Sequence, residues 1–270
     1  MKVMSWNTLY GGFDGDDGRR FKLQAEAITE VAPDILLIQE AKRFEVDGNC
    51  RLYQVERALG MRGFLALAPH TGQNTAVFAR PGIEPVSFAS DSIHFHHAAA
   101  IATLRVPDFD RPVTFISVHL CPVGVPMRLI EAANLVPHAA PDGMVLVAGD
   151  FNSISPHDGE PEWGDLPLHH RARYTAPDGK TADRRVLETL CGAGYVDIAH
   201  ELDQHAIPTV PGAAFPNAEF VPFRADYFLA SKAISRGAKS YAVIRDDRTG
   251  QASDHYPIVA EFSPTPGALA

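Results

Sequence analysis

Residues suited to metal and phosphate chemistry fall at the ends of apolar runs. Asn7 follows KVMSW, Glu40 follows ILLIQ, His119 follows TFISV, and Asp150 and Asn152 follow MVLVAG. Asp226 stands inside FRADYFLA, and Asp254 and His255 come just before YPIVAEF. Carboxylates with an amide oxygen suit Mg²⁺ or Mn²⁺, hard cations that prefer oxygen, whereas zinc would want more histidine or cysteine. An acid inside an apolar strand is costly to bury unless paired, and His255 is a sensible partner for Asp226. A hard cation beside an Asp–His pair, with His119 and Asn152 reaching phosphate, is the chemistry of metal-assisted phosphoester hydrolysis.

These residues need rigid elements behind them. Met144–Ala148 is an unbroken apolar run, the pattern of a strand buried on both faces. If the chain stays extended beyond it, Asp150 and Asn152 point to the same side, because side chains alternate with a period of two. The competing reading of GDFNS is a turn, which Gly, Asp, Asn and Ser all favour. The same logic gives strands at Lys2–Trp6, Asp34–Gln39, Gly63–Ala68, Asn74–Ala79, Val86–Ser90, Ala98–Val106 and Val113–Val118. Further strands are expected at Phe223–Ala230, Ala238–Ile244 and Tyr256–Phe262. Helical spacing marks Arg19–Val31, stopped by Pro33, and also Tyr53–Leu59, Met127–Val136 and Asp183–Cys191. Residues Ser155–Ala182 and Pro208–Pro222 read as long loops, which in compact domains are usually functional or mobile. Strands spread from end to end with three or four helices between them predict one α/β domain over residues 1–263. A tail at 264–270 is expected to fray.

The 270-residue chain carries a formal charge of −9, so no extended basic surface for duplex DNA is indicated. Cys50, Cys121 and Cys191 are too few and scattered for a disulfide framework or a structural zinc site. No leader pattern opens the chain and no apolar run is long enough to span a bilayer. A soluble, cytoplasmic, monomeric protein is the expectation.

The motifs also carry a family resemblance. Trp6-Asn7, Gln39-Glu40, His119-Leu120, Gly149–Asn152 (GDFN), Arg224–Tyr227 (RADY) and Ser253–His255 (SDH) occur in one order. Together they closely resemble the endonuclease/exonuclease/phosphatase superfamily with its deoxyribonuclease-I-like fold. The resemblance implies a four-layer α/β sandwich, two mixed β-sheets packed face to face with helices outside. It implies Glu40 as the main ligand of Mg²⁺ (Mn²⁺ as substitute), with Asn7 and Asp254 close by. His255 would be the acid/base histidine oriented by Asp226. Asp150 would orient the attacking water or assist the leaving group, and Asn152 and His119 would hold phosphate oxygens. It implies a phosphodiester substrate, with nucleic acid foremost and a small nucleotide, phospholipid or sugar phosphate as the alternative. A catalytically silent binding module is disfavoured, because every expected position holds a competent residue. The HL after ISV, where abasic-site enzymes carry a tyrosine-type motif, argues against abasic-site repair.

Weaker candidates remain. Asn74 lies where relatives place a polar residue near the site. Arg171, Arg173 and Tyr174, after His169-His170, are candidates to touch substrate, with a solvated loop as the competing reading. His94, His96 and His97 invite a metal reading, against which stands the reading of His94 and His96 as alternating on a solvated strand. Cys121 is read as a small buried thiol.

Overall fold

The computed structural model describes residues 1–216 and 219–264. Its strands are β1 (Lys2–Asn7), β2 (Ile35–Gln39), β3 (Arg62–Ala66), β4 (Thr75–Ala79), β5 (Glu84–Asp91) and β6 (Ala99–Arg105). They continue with β7 (Val113–His119), β8 (Val145–Asp150), β9 (Val196–Asp197), β10 (Asp226–Ala230), β11 (Ala238–Val243) and β12 (Ile258–Phe262). The longer helices are α1 (Arg19–Val31), α2 (Val46–Leu59) and α3 (Val125–Leu135). After them come α4 (Leu168–Arg171), α5 (Arg185–Gly192), α6 (Ile198–Glu201), α7 (Lys232–Ser235) and α8 (Asp247–Ala252).

Two six-stranded mixed sheets result, ordered β11-β12-β1-β2-β4-β3 and β5-β6-β7-β8-β10-β9. In the first, β1 pairs parallel with β2 and antiparallel with β12; in the second, β7 pairs parallel with β8, which pairs antiparallel with β10. The period of two divides each strand between layers. Ile35 and Leu37 join Phe115, Leu146 and Phe228 in the core between the sheets. Leu36 and Ile38 face the other way, onto Ala27 and Ile28 of α1 and Leu52 and Val55 of α2. Val145 and Val147 likewise meet Ala132 and Leu135 of α3 and Leu187 of α5. Full burial of side chains this size contributes about 1.5–3 kcal/mol each, which makes the sheet centres the rigid part of the protein. The four-layer sandwich expected from the sequence is the observed architecture.

Most expected elements appear within a few residues of their sequence bounds, and three differences bear on function. The strand β8 runs on through Gly149 and Asp150, then leaves extension: Asn152 is left-handed at φ 48. Asp150 and Asn152 therefore do not share one face of an extended strand. Instead Asp150 Oδ1 accepts the Asn152 backbone N–H at 2.8 Å, so the turn reading of GDFNS holds beyond the strand. Secondly, His94, His96 and His97 lie in the turn between β5 and β6, where Asp91 Oδ1 accepts from the backbone of Ile93 and His94. Thirdly, the helix count exceeds the three or four expected, chiefly through short helices. Among these, α8 is closed at its start by a capping box in which Asp246 accepts from Thr249 N at 2.7 Å. The expected frayed tail beyond residue 264 lies outside the described residues. No helix among the described residues is long and apolar enough to cross a membrane.

Candidate active site

Strand register assembles the site. His119 of β7 stands opposite Asp150 of β8, and Asp150 stands opposite Asp226 of β10. In the facing sheet Asn7 of β1 pairs with Gln39 of β2, the residue before Glu40. The ends of β1, β2, β7 and β8 thus bring Asn7, Glu40, His119 and Asp150 to one rim. The helix α8 ends at Ala252 and delivers Ser253, Asp254 and His255 to the same place. Gly149 makes the close packing of β8 on β7 feasible. Its φ is 146°, and a Cβ there would lie 1.9 Å from the Val118 carbonyl oxygen.

The side chains interlock across the two sheets. Asn7 Nδ2 donates to Asp150 Oδ2 at 3.1 Å and to Glu40 Oε1 at 3.4 Å. Tyr10 N donates to Glu40 Oε2 at 3.1 Å, and Glu40 sits at φ 60, a strained backbone for a residue with a long side chain. His255 Nδ1 lies 2.9 Å from Asp226 Oδ2, and its Nε2 is 3.6 Å from Asp150 Oδ2. His119 Nε2 reaches the same Asp150 oxygen at 3.3 Å. Asn152 Nδ2 donates to the Leu120 carbonyl at 3.0 Å, which fixes its amide. Ser253 Oγ donates to Asn7 O at 2.7 Å and ties the SDH segment to β1.

The charges do not balance. Glu40, Asp150, Asp226 and Asp254 meet a single imidazole that is held charged. Burial works against the charge on His255, but Asp226 and then Asp150 outweigh it, and its pKa rises well above the ordinary histidine value. Burial pushes the Glu40 carboxyl up to about 7, with repulsion from Asp254 adding to it. Asp150 is also raised by burial, against the pull of His255. His119 is pushed down to about 3, by burial and then by the charge on His255. It stands in the site as a neutral imidazole.

An excess of carboxylate is what a divalent cation relieves, and Glu40 and Asp254 offer oxygens that suit a hard one. Asn7 turns its Nδ2 to Glu40, and its Oδ1 accepts the Leu9 N–H at 3.2 Å with a second lone pair left. Asp150, Asp226 and His255 also have one ligand atom each within 4.8 Å of one another. Two of those three are already spent on the Asp226–His255 hydrogen bond.

The cleft has a volume of about 360 Å³, and Asn7, Glu40, His119, Asp150, Asn152, Asp254 and His255 all line it. Arg173 lines it too; its Nε donates to the Pro122 carbonyl at 2.9 Å and its Nη1 pairs with Glu219. Asp226 is placed behind His255. The other weak candidates are not brought to the cleft. Asn74 is spent on Ala41 O, Glu45 and the Ala68 N–H, which fastens the turn before β4. Arg171 donates to the carbonyls of Gly164 and Leu166, and Tyr174 is 1 % exposed in an aromatic cluster with Trp163 and Phe223. Cys121 is buried, as expected. Leu9, Tyr10, Gln73, Pro122, Glu219 and Phe220 complete the lining without having been singled out for it, together with His97, which was read beside His94 and His96. For Gln73 the signal was one residue away, in the polar turn before Asn74.

A family model described as the Endonuclease/Exonuclease/phosphatase family matches residues 4–255. The chain belongs to the Endonuclease/Exonuclease/phosphatase family. It is accordingly a hydrolase of phosphoester bonds, in a family that typically uses divalent metals. Among solved structures, a variant of the 3′ phosphatase NExo from Neisseria, bound to a product DNA hairpin, is similar at 20% identity and a TM-score of 0.69. That match covers 97% of this chain and 99% of the other. The Bacteroides thetaiotaomicron mannosyl-6-phosphatase Bt3783 is similar at 16% identity and a TM-score of 0.67, covering 97% of this chain and 98% of its own. An AP endonuclease from Archaeoglobus fulgidus is similar at 20% identity and a TM-score of 0.67, covering 97% and 99%. At such identities these likenesses speak for the shared fold. No curated protein matches the sequence.

Proposed function

We propose that the chain is a divalent-cation-dependent phosphoester hydrolase acting on a small substrate, with Mg²⁺ or Mn²⁺ held by Glu40, Asn7 and Asp254. The observation that carries this reading is the gathering of four carboxylates about His255: buried Asp226 and Asp150 at 2.9 and 3.6 Å from its ring nitrogens, and half-buried Glu40 and Asp254 lining the same cleft. When bound, the cation would polarise the phosphoryl group and offset charge developing on it. Asp150, raised by burial, accepts the proton of the attacking water. His255 stays protonated at neutral pH and so serves as a donor to a phosphoryl oxygen rather than as the base. Asp226 fixes the imidazole tautomer through its 2.9 Å bond to Nδ1. His119 and Asn152 hold the remaining phosphoryl oxygens, and the leaving alcohol takes its proton from solvent at the mouth.

The substrate class follows from size and charge. A cleft of about 360 Å³ is within the range of small-ligand sites, and Glu219 at its edge neutralises Arg173. Both observations favour a small phosphoester. A nucleic-acid strand is the second reading, and the feature in its favour is at the lip. There the Tyr10 ring is 38 % exposed and Lys42 Nζ lies 4.2 Å from its centroid, the aromatic-plus-cation pairing that grips single strands. Turnover of bis-p-nitrophenyl phosphate, a monoester panel and single-stranded DNA, with Mg²⁺ or Mn²⁺ and with chelator, tests the proposal. Cation-dependent hydrolysis of small esters is the expected result. Hydrolysis of DNA alone would turn the substrate reading to the strand, and turnover unaffected by chelator would overturn the cation.

A further inference from the structure

Two groups lining the cleft are positively charged at neutral pH, His255 and Arg173. His255 stands among the carboxylates of the reacting centre, whereas Arg173 meets one carboxylate, Glu219, at the edge. A costly arrangement places that arginine. Its backbone carbonyl accepts from Arg128 Nη2, and Arg128 Nη1 donates to the Cys121 carbonyl at 2.9 Å. Arg128 is 0 % exposed and no carboxylate pairs with it among the described residues, so its buried charge is answered by backbone carbonyls. The Arg173 side chain is then fixed at Nε, which donates to the Pro122 carbonyl at 2.9 Å. The terminal nitrogens are left for an anion, and Nη1 already holds one. Glu219 Oε2 pairs with it, and His170 Nδ1 stands 3.6 Å from the same oxygen. The Glu219 side chain is 53 % exposed and bonds to nothing else among the described residues. An ion pair so exposed is worth little, and another anion displaces it at small cost. Phe220, the next residue, sets its ring edge-on to His255 at 5.3 Å, so this anion position lies beside the reacting centre and not on it.

We propose that Arg173, with His170 beside it, is a second anion subsite that Glu219 occupies until substrate arrives, and that the preferred substrates are phosphoesters carrying a second acidic group. The scissile phosphate is met by His255, His119 and Asn152, and the second group takes the place of the Glu219 carboxylate. A guanidinium accepts carboxylate and phosphate oxygens in the same way, so a tethered carboxylate marks where a phosphate fits. A substrate with one charged group leaves the ion pair closed and gains nothing from it. Sugar bisphosphates and nucleotides with a terminal phosphate both present such a group, and both are small molecules of the kind a cleft of about 360 Å³ takes. The inference rests on the phosphoester-hydrolase reading above and narrows its substrate.

The test measures kcat/KM with Mg²⁺ on two matched pairs: a hexose monophosphate and its bisphosphate, and a dinucleotide without and with a 5′-phosphate. The unsubstituted protein is expected to favour the doubly charged member of at least one pair, and which pair separates the two sources. In Arg173→Gln that preference is expected to fall about tenfold, the scale of one charge-assisted hydrogen bond. In Glu219→Gln, which keeps the size and removes the competing charge, the preference should rise about threefold. Comparing substrates within each variant cancels any general loss of active protein. A preference that stays put in Arg173→Gln, or fails to rise in Glu219→Gln, would overturn the subsite, as would no preference in the unsubstituted protein. Hydrolysis of the singly charged members would then leave the hydrolase reading standing. No hydrolysis of any phosphoester by the unsubstituted protein would instead remove that reading, and the subsite with it.

Discussion

Arg224 and Asp226 are two residues apart, yet they belong to buried charge clusters of opposite kinds. The Arg224 guanidinium meets Asp197 at 2.6 and 2.8 Å and Asp158 at 2.7 Å, and it lies 4.4 Å over the ring of Tyr227. Its donors are met by carboxylates in good geometry, and that fastens the loop after β8 to the start of β10. Asp226 belongs to the other kind, in which four carboxylates gather around one imidazole. In the first cluster the charges are matched, although Arg224 and Asp158 border a cavity of about 160 Å³. The second is short of positive charge and open to a cleft. Neutralisation, rather than burial, separates the structural cluster from the functional one.

That contrast can be broken in four ways, the largest effect first. Arg224→Leu strands Asp158 and Asp197, and unfolding in denaturant should show a loss of about 3–5 kcal/mol, the usual result of removing one partner of a buried ion pair. His255→Ala should leave the fold in place, by circular dichroism, and lower turnover by at least about 100-fold. A third test uses pH. Without cation, Glu40 holds its proton in the folded state up to about 7, against 4.5 for an ordinary glutamate. Between those values only the unfolded chain is ionised at this position, so this contribution to stability fades as pH rises, by about 1.4 kcal/mol per pKa unit. The cation competes with that proton, so the rise in Tm on adding Mg²⁺ should grow as pH passes through about 7; a rise independent of pH would move the cation away from Glu40. Glu131, pushed to about 7 by burial on α3, adds to the cation-free trend without adding to the Mg²⁺ effect. Smallest is Asp226→Asn, whose loss of turnover should be less than that of His255→Ala if orientation is its task. An equal or greater loss would give Asp226 a direct role.

One α/β domain was legible because short apolar runs such as those of β2 and β8, bounded by turn residues, alternate with helical stretches; the four-layer sandwich came from the resemblance carried by the ordered motifs. The ends of those runs also located Glu40 and Asp150. The geometry past the strand end was not legible. Asn152 leaves the β8 extension at φ 48, a backbone choice that several turn types share with the same residues. The three histidines at 94, 96 and 97 misled for a related reason. Alternation of His94 and His96 mimics a strand, while the Asp91 cap that makes the segment a turn depends on contacts three residues away. Asn74 and Gln73 are neighbours of like chemistry, and only the third dimension tells that Asn74 holds the turn while Gln73 meets the cleft. The delivery of Asp254 and His255 by α8 was signalled by Asp246 and Thr249 in capping-box spacing, a short-range pattern easily lost beside six helical residues.

Glu40→Gln is the most direct test of the claim that the site is an under-neutralised charge cluster awaiting a cation. The substitution keeps the size of the side chain and removes a carboxylate that burial and Asp254 both disfavour. The measurement pairs cation-free Tm at pH 8 with Mg²⁺-dependent turnover of bis-p-nitrophenyl phosphate. The account predicts an unchanged or higher Tm together with a loss of turnover of at least about 100-fold. A lower Tm with turnover retained would contradict it, because Glu40 would then serve the fold in the way Arg224 does.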